Sequence, residues 1–201
     1  MTAEPMEAQD VDRRVVVGGG LAASWSFGGA AGAWAPTLAE RIELSGEVGH
    51  QKRAAVGFSL VHARPELARA GELIEGAPPD AVQGWRDELS ILLTVRVPLE
   101  VLPPTALAVL PTFGFGAGVL ATDAHLDTMG FVGRAPVRSR SLSPVLAGRL
   151  GLELRFRNWL SLLPHGELLA TAAPDTAEEG PGELWDVEAR VLAGADVVIR
   201  F

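Results

Sequence analysis

The chain has 201 residues, 48% of them hydrophobic, and a net charge of −8, a length that suits one domain and an acidity that argues against nucleic acid as a partner. It has no cysteine, which excludes disulfides and thiolate metal sites and is compatible with an oxidising compartment. Mean hydropathy is high at +0.22, yet no run of ~18 consecutive apolar residues offers a transmembrane helix. The apolar content therefore has to sit in strands.

Residues 1–12 (MTAEPMEAQDVD) are polar and acidic and are expected to form a flexible tail ahead of a single β-domain over 13–201. They lack the basic and apolar regions of a secretory signal. The reading therefore expects a mature chain from which the signal has been removed, Met1 standing in its place.

From Arg14 onward apolar residues recur with a period of two, the mark of strands with two unlike faces. A first strand is expected at about 14–28, with Gly18 and Gly20 leaving its polar side nearly empty. The second opposes Ile42, Leu44 and Val48 to Arg41, Glu43 and Glu47. A third covers about 53–64, and the fourth sets Leu89, Ile91, Leu93, Val95, Val97 and Leu99 against Glu88, Ser90, Thr94, Arg96 and Glu100. The fifth, about 105–122, repeats the glycine feature at Gly114, Gly116 and Gly118. The sixth opposes Leu142, Pro144, Leu146, Leu150, Leu152, Leu154 and Phe156 to Ser143, Arg149, Glu153, Arg155 and Arg157. The seventh covers about 161–174. From Trp185 to Phe201 the odd positions are wholly apolar, while Asp186, Glu188, Arg190, Asp196 and Arg200 share the other face.

Connections alternate in length. Gln51-Lys52, Leu102-Pro103-Pro104 and Asn158-Trp159-Leu160 are tight, whereas about 29–36, 65–84, 123–141 and 175–184 are long and rich in Gly, Pro, Asp and Glu. Short turns at one end and long loops at the other are how outer-membrane barrels are built. The alternation leaves two fold readings: an eight-stranded antiparallel transmembrane barrel, and a soluble β-barrel or sandwich with the charged face in water.

Two observations favour lipid outside. Aromatics gather at strand ends, with Trp25, Phe27, Trp85 and Trp185 at the loop side and Phe156, Trp159 and Phe201 at the turn side, as expected of interfacial girdles. Phe58, Phe113 and Phe115 lie between them, and Tyr is absent. The charged face also balances. Arg41, Arg86, Arg96, Arg149, Arg155, Arg157, Arg190 and Arg200 meet Glu43, Glu47, Glu88, Glu100, Glu153, Glu167, Glu188 and Asp196. A closed interior needs such a balance, because an unpaired buried charge is costly. Pro98, Pro111, Pro144 and Pro164 fall in or near strands, where each removes a ladder donor, and Pro111 is expected to mark a bulge.

The last strand ends on Phe201. It resembles the C-terminal signature of outer-membrane barrel proteins, and the pattern over residues 14–201 resembles the small OmpA-type and OmpX-type barrels. The resemblance implies a place in the outer membrane of a Gram-negative bacterium. It also implies contact with membrane lipid and lipopolysaccharide, and a last strand read by the barrel assembly machinery.

Candidate chemistry is sparse. Ser161, His165 and Glu167 share one face of strand seven, but spread over roughly 20 Å they cannot bond one another. Asp123, His125 and Asp127 in the third long loop have metal-ligand chemistry and are read as loop polarity. His50 and His62 have no evident partner. Arg134, Arg138 and Arg140 of the same loop suit lipopolysaccharide phosphates. No cofactor is expected. The first functional reading is a non-enzymatic structural, anchoring or loop-mediated interaction protein with a charge-filled lumen and an envelope partner of unknown identity. The alternatives are an enzyme acting on lipid A or phospholipid, a narrow channel and a soluble ligand carrier.

Overall fold

The computed structural model describes residues 14–28, 32–48, 54–69, 82–99, 108–127, 137–157, 159–173 and 186–201. The tail expected at 1–12, and with it His50, Glu100, Arg134 and Trp185, lies outside these residues.

Eight strands follow one another: β1 (Arg14–Phe27), β2 (Thr37–Val48), β3 (Ala54–Ala63), β4 (Gln83–Pro98), β5 (Ala108–Asp127), β6 (Val137–Arg157), β7 (Leu160–Ala173) and β8 (Asp186–Arg200). Each pairs antiparallel with its neighbour and β8 closes on β1. Backbone amides in hydrocarbon have no water to bond, and closure gives every strand two partners. One row of outward residues runs from Val17 through Leu44, Phe58, Leu93, Ala117, Leu146, Ala170 and Ala189 to Phe27. It returns to β1 ten residues above its start, and that stagger tilts the strands, typically by 35–45°.

The period-two pattern becomes two surfaces. Val15, Ile42, Phe58, Leu93, Phe115, Leu150, Leu168 and Val197 stand exposed on the outside, while the charged set turns inward and is buried. A water-soluble protein rarely exposes an apolar patch beyond a few hundred Å²; here the patch encircles the molecule. Trp25, Phe27 and Trp85 lie outward at the loop side, and Phe156, Trp159 and Phe201 outward at the turn side. The wall faces lipid.

Several expectations are corrected. β5 runs on to Asp127 and β6 begins at Val137, with Leu126 paired to Val137. Asp123, His125, Asp127, Arg138 and Arg140 are therefore strand residues rather than loop residues. Polar alternation beyond the apolar band sustains the ladder as well as apolar alternation does within it. The tight turn expected at Leu102-Pro103-Pro104 lies outside the described residues. No bulge forms at Pro111, which pairs with Leu152 in an unbroken register and accepts Leu99 N–H at 2.7 Å through its carbonyl. It sits where β4 ends, so its missing donor interrupts no central ladder. The register shift occurs instead between Arg155 and Arg157.

The outward face gives a first test. Leu93→Arg, in the middle of the wall, is expected to destabilise the barrel by about 2–4 kcal/mol, and Val187→Arg, at the loop-side end of β8, by about 0–1 kcal/mol. Urea unfolding in lipid vesicles checks this; equal effects or the reverse order would show that the wall does not face lipid. Gly151 is a poor site for a lumen control, because a Cβ there would stand 2.9 Å from the Pro164 carbonyl oxygen.

Candidate functional site: a tiered lumen and a polar flank

The interior is built in tiers because each strand delivers charged residues at alternate positions, and the stagger brings residues distant in sequence together. At the turn side Arg200 pairs with Glu47 at 2.6 Å and with Glu153, and donates to Ser161 Oγ at 2.6 Å. Glu153 also accepts from Ser161 at 2.8 Å and from Arg155 Nε at 3.1 Å. Above lies a small apolar tier of Val16, Leu163 and Val198.

The central ionic tier follows. Arg41 grips Glu167, and Arg149 holds Asp196 and, at 3.2 Å, Glu43. Arg96 stands 3.7 Å from Glu43, and Arg41 Nε 4.0 Å from Asp196. His165 Nδ1 lies 3.1 Å from the Leu163 carbonyl and 3.9 Å from Asp196. Gly20 is needed beside this tier, since a Cβ there would overlap the Asp196 carboxylate and the Ala195 carbonyl.

A second apolar tier, including Val61, Leu92, Leu120, Leu169 and Leu192, separates it from the loop-side charges. There Glu88 is shared by Arg86, at 2.5 Å, and Arg190, while Arg86 also reaches Glu188 at 3.4 Å. Residues 32–36 and 64–69 pack over this tier at the loop side. Ala35 N–H donates to Glu66 O at 2.8 Å, and Arg86 N–H to Pro65 O at 3.0 Å. Trp34 is buried, with the Arg86 guanidinium 5.1 Å from its ring centre.

Two small voids lie against the described lumen residues. One void against Arg190 and Thr171 and one against Arg96 and Arg149 each measure ≈ 10 Å³, room for a single water at most. Buried arginines in such a medium need fixed acceptors, and their rigid forks suit two carboxylates at once.

Of the expected lumen set, Arg41, Glu43, Glu47, Glu88, Arg96, Arg149, Glu153, Glu167, Arg190, Asp196 and Arg200 are buried, and Arg155 and Glu188 half-buried. Arg157 is corrected: the register shift beside it leaves it exposed at the turn-side rim. Ser161, His165 and Glu167 face inward together but bond other partners, as their spacing requires.

A second polar group lies on the outer wall, beyond the apolar band, and was not anticipated there. Asp123 accepts from Arg138 Nε at 2.9 Å and Nη2 at 2.5 Å and from Arg140 Nε at 3.0 Å, with His125 Nε2 3.2 Å away. The hydrogen bond from Arg138, joined by that from Arg140, holds the Asp123 carboxyl well below the usual carboxylate range. The pair is thus intact above that range and lost only as pH falls through the depressed value. Arg64 lies 3.5 Å from Asp87 and 5.1 Å from the Trp85 ring centre, and Trp85 stacks on His125. Extending the period-two count through the polar ends of strands five and six is the signal that finds this group.

Neither a family model nor a curated protein sequence matches this chain. Among solved structures it is similar to a major outer membrane protein from Thermus thermophilus, with TM-score 0.61, 13% identity, and 94% of this chain and 99% of that chain covered. It is similar also to Neisserial surface protein A, with TM-score 0.51, 14% identity, and 93% and 97% covered. A third likeness is to Ail, the attachment invasion locus protein of Yersinia pestis, in complex with the heparin analogue sucrose octasulfate: TM-score 0.52, 10% identity, 93% and 99% covered. At these identities the likeness is one of fold. The chain is a small eight-stranded barrel of the outer-membrane type.

Removing one partner from a tier strands the others. Glu153→Ala leaves Arg200 and Arg155 without their shared acceptor and is expected to cost about 3–5 kcal/mol. Arg155→Ala, at a side chain 21% exposed, is expected to cost less, and Asp123→Asn on the outer wall to leave the unfolding midpoint nearly unchanged. Urea titration in vesicles ranks the three; a flat ranking would mean that the tiers do not hold the barrel.

Proposed function

We propose that this chain is a non-conducting, non-enzymatic barrel of the bacterial outer membrane. In this reading it serves as an anchoring or loop-presenting element, and its working surfaces are its outer wall and loop-side rim. The observation that carries the proposal is the lumen: among the described residues three ionic tiers alternate with two apolar ones, residues 32–36 and 64–69 pack over the loop-side tier, and two voids within are each about the size of a water molecule. An interior so filled leaves neither a path for solute nor a cavity for a carried ligand.

The proposed chain reaches its membrane after loss of a secretory signal. The assembly machinery reads β8, whose Phe201 points outward. Arg134, Arg138 and Arg140 meet lipopolysaccharide at the rim, and the loops meet an envelope protein partner.

Planar-bilayer recording tests the proposal. Refolded protein is expected to give no steady conductance. Open-channel currents would overturn the plugged reading and put a channel in its place.

A further inference from the structure

The lipid-facing wall is not uniform. On β7, β8 and β1 the outward residues stay apolar to the loop-side ends, as at Ala172, Val187 and Phe27. Across β2 to β6, one row of outward residues reads Glu40, His62, Leu89, Ala121, Leu142. Two polar side chains therefore share a level with a leucine that is 67% exposed to lipid. Directly above them the row is Asp87, Asp123, Arg140. The small Ala121 between larger neighbours opens a groove of ≈ 360 Å³, lined on the outside by His62, Asp87, Leu89, Ala121, Asp123 and Arg140.

The groove has the profile of a lipid at its headgroup boundary: Leu89 and Ala121 below, charges above. Its donors are also uncommitted in part. Asp123 takes Nε of Arg140, and among the described residues neither terminal nitrogen of that guanidinium has a partner. Arg138 and Arg140 share the single carboxylate of Asp123, which leaves one positive charge in excess. His62 and Glu40, cross-strand neighbours, have no hydrogen-bond partner among the described residues. A phosphate suits the spare guanidinium donors. The carboxylates of Asp87 and Glu40 would repel a second phosphate and instead accept from hydroxyl groups.

The geometry points to a binding site for a phosphorylated glycolipid headgroup on the outer wall between β3 and β6, with the phosphate on Arg140 and Arg138, sugar hydroxyls on the carboxylates and an acyl chain against Leu89 and Ala121. This rests on the reading of the rim as a lipopolysaccharide contact. It differs in placing the ligand in a groove of the wall, among strand residues, and in assigning it sugar as well as phosphate.

The test refolds the full chain in phosphatidylcholine vesicles containing bisphosphorylated lipid A, the same glycolipid stripped of phosphate, or neither. Lipid retained per barrel is counted by native mass spectrometry. One phosphorylated glycolipid is expected to be retained, at least about tenfold more tightly than the stripped form, with Arg140→Gln or Arg138→Gln weakening it about tenfold. Ala121→Leu fills the groove with a side chain that lipid tolerates and is expected to abolish retention while folding and the absence of conductance persist. Arg14→Gln, at the turn side, is expected to change nothing. Equal retention of the stripped lipid, or full retention by Ala121→Leu, would overturn the site. So would displacement by millimolar inorganic phosphate, which would assign the cations to a soluble anion. A dimer in detergent that Ala121→Leu dissociates would give the groove to a second copy of the chain and likewise overturn it.

Discussion

A peptide group in hydrocarbon has no solvent to bond to, and everything else in this molecule follows from that constraint. A sheet that leaves no edge must close, and closure of eight strands with a stagger of ten residues yields an interior only wide enough for side chains. Because each strand alternates faces, a wall made apolar for lipid commits every second residue to that narrow interior. The chain fills it with ions as well as hydrocarbon. The cost of burying them is offset only where each guanidinium finds carboxylates, as Arg200 does with Glu47 and Glu153 and Arg149 with Glu43 and Asp196.

The ionic tiers divide labour with the apolar ones. Leu92, Leu120, Leu169 and Leu192 form an apolar layer between the central and loop-side charges, which separates the two networks. Trp34 and the residues around Pro65 then cover the loop-side tier. On the proposed plugged reading, the surfaces left for function are the wall and the rim, where Arg138 and Arg140 share the Asp123 carboxylate.

Much of this was legible in the sequence, for a definite reason. A transmembrane strand writes its two environments on alternate residues, so Leu142 to Phe156 and Trp185 to Phe201 declare their faces without reference to any partner. Balance among the inward charges was equally readable, although which arginine meets which carboxylate was not: Arg41 and Glu167 are brought together by the shear, a property of closure rather than of either strand. The limits of β5 and β6 escape the apolar pattern because polar residues at a strand end look like a loop, whereas past the apolar band only the ladder matters. Burial of Trp34 left no trace in periodicity. Its position depends on bridges to Leu67 from a different connection, which no local pattern encodes.

The tiers carry one more consequence, for how the strands find their alignment. A slip of one residue between β6 and β7 would leave either Arg149 or Glu167 turned out into hydrocarbon. A slip of two would keep the faces but carry Arg149 from the central tier toward the apolar side chains of Leu163 and Val198. The observed offset seats the buried arginines beside carboxylates, so the interior works as a lock whose pins are the arginines. Alignment that is checked across the whole circumference need not be dictated by any single turn.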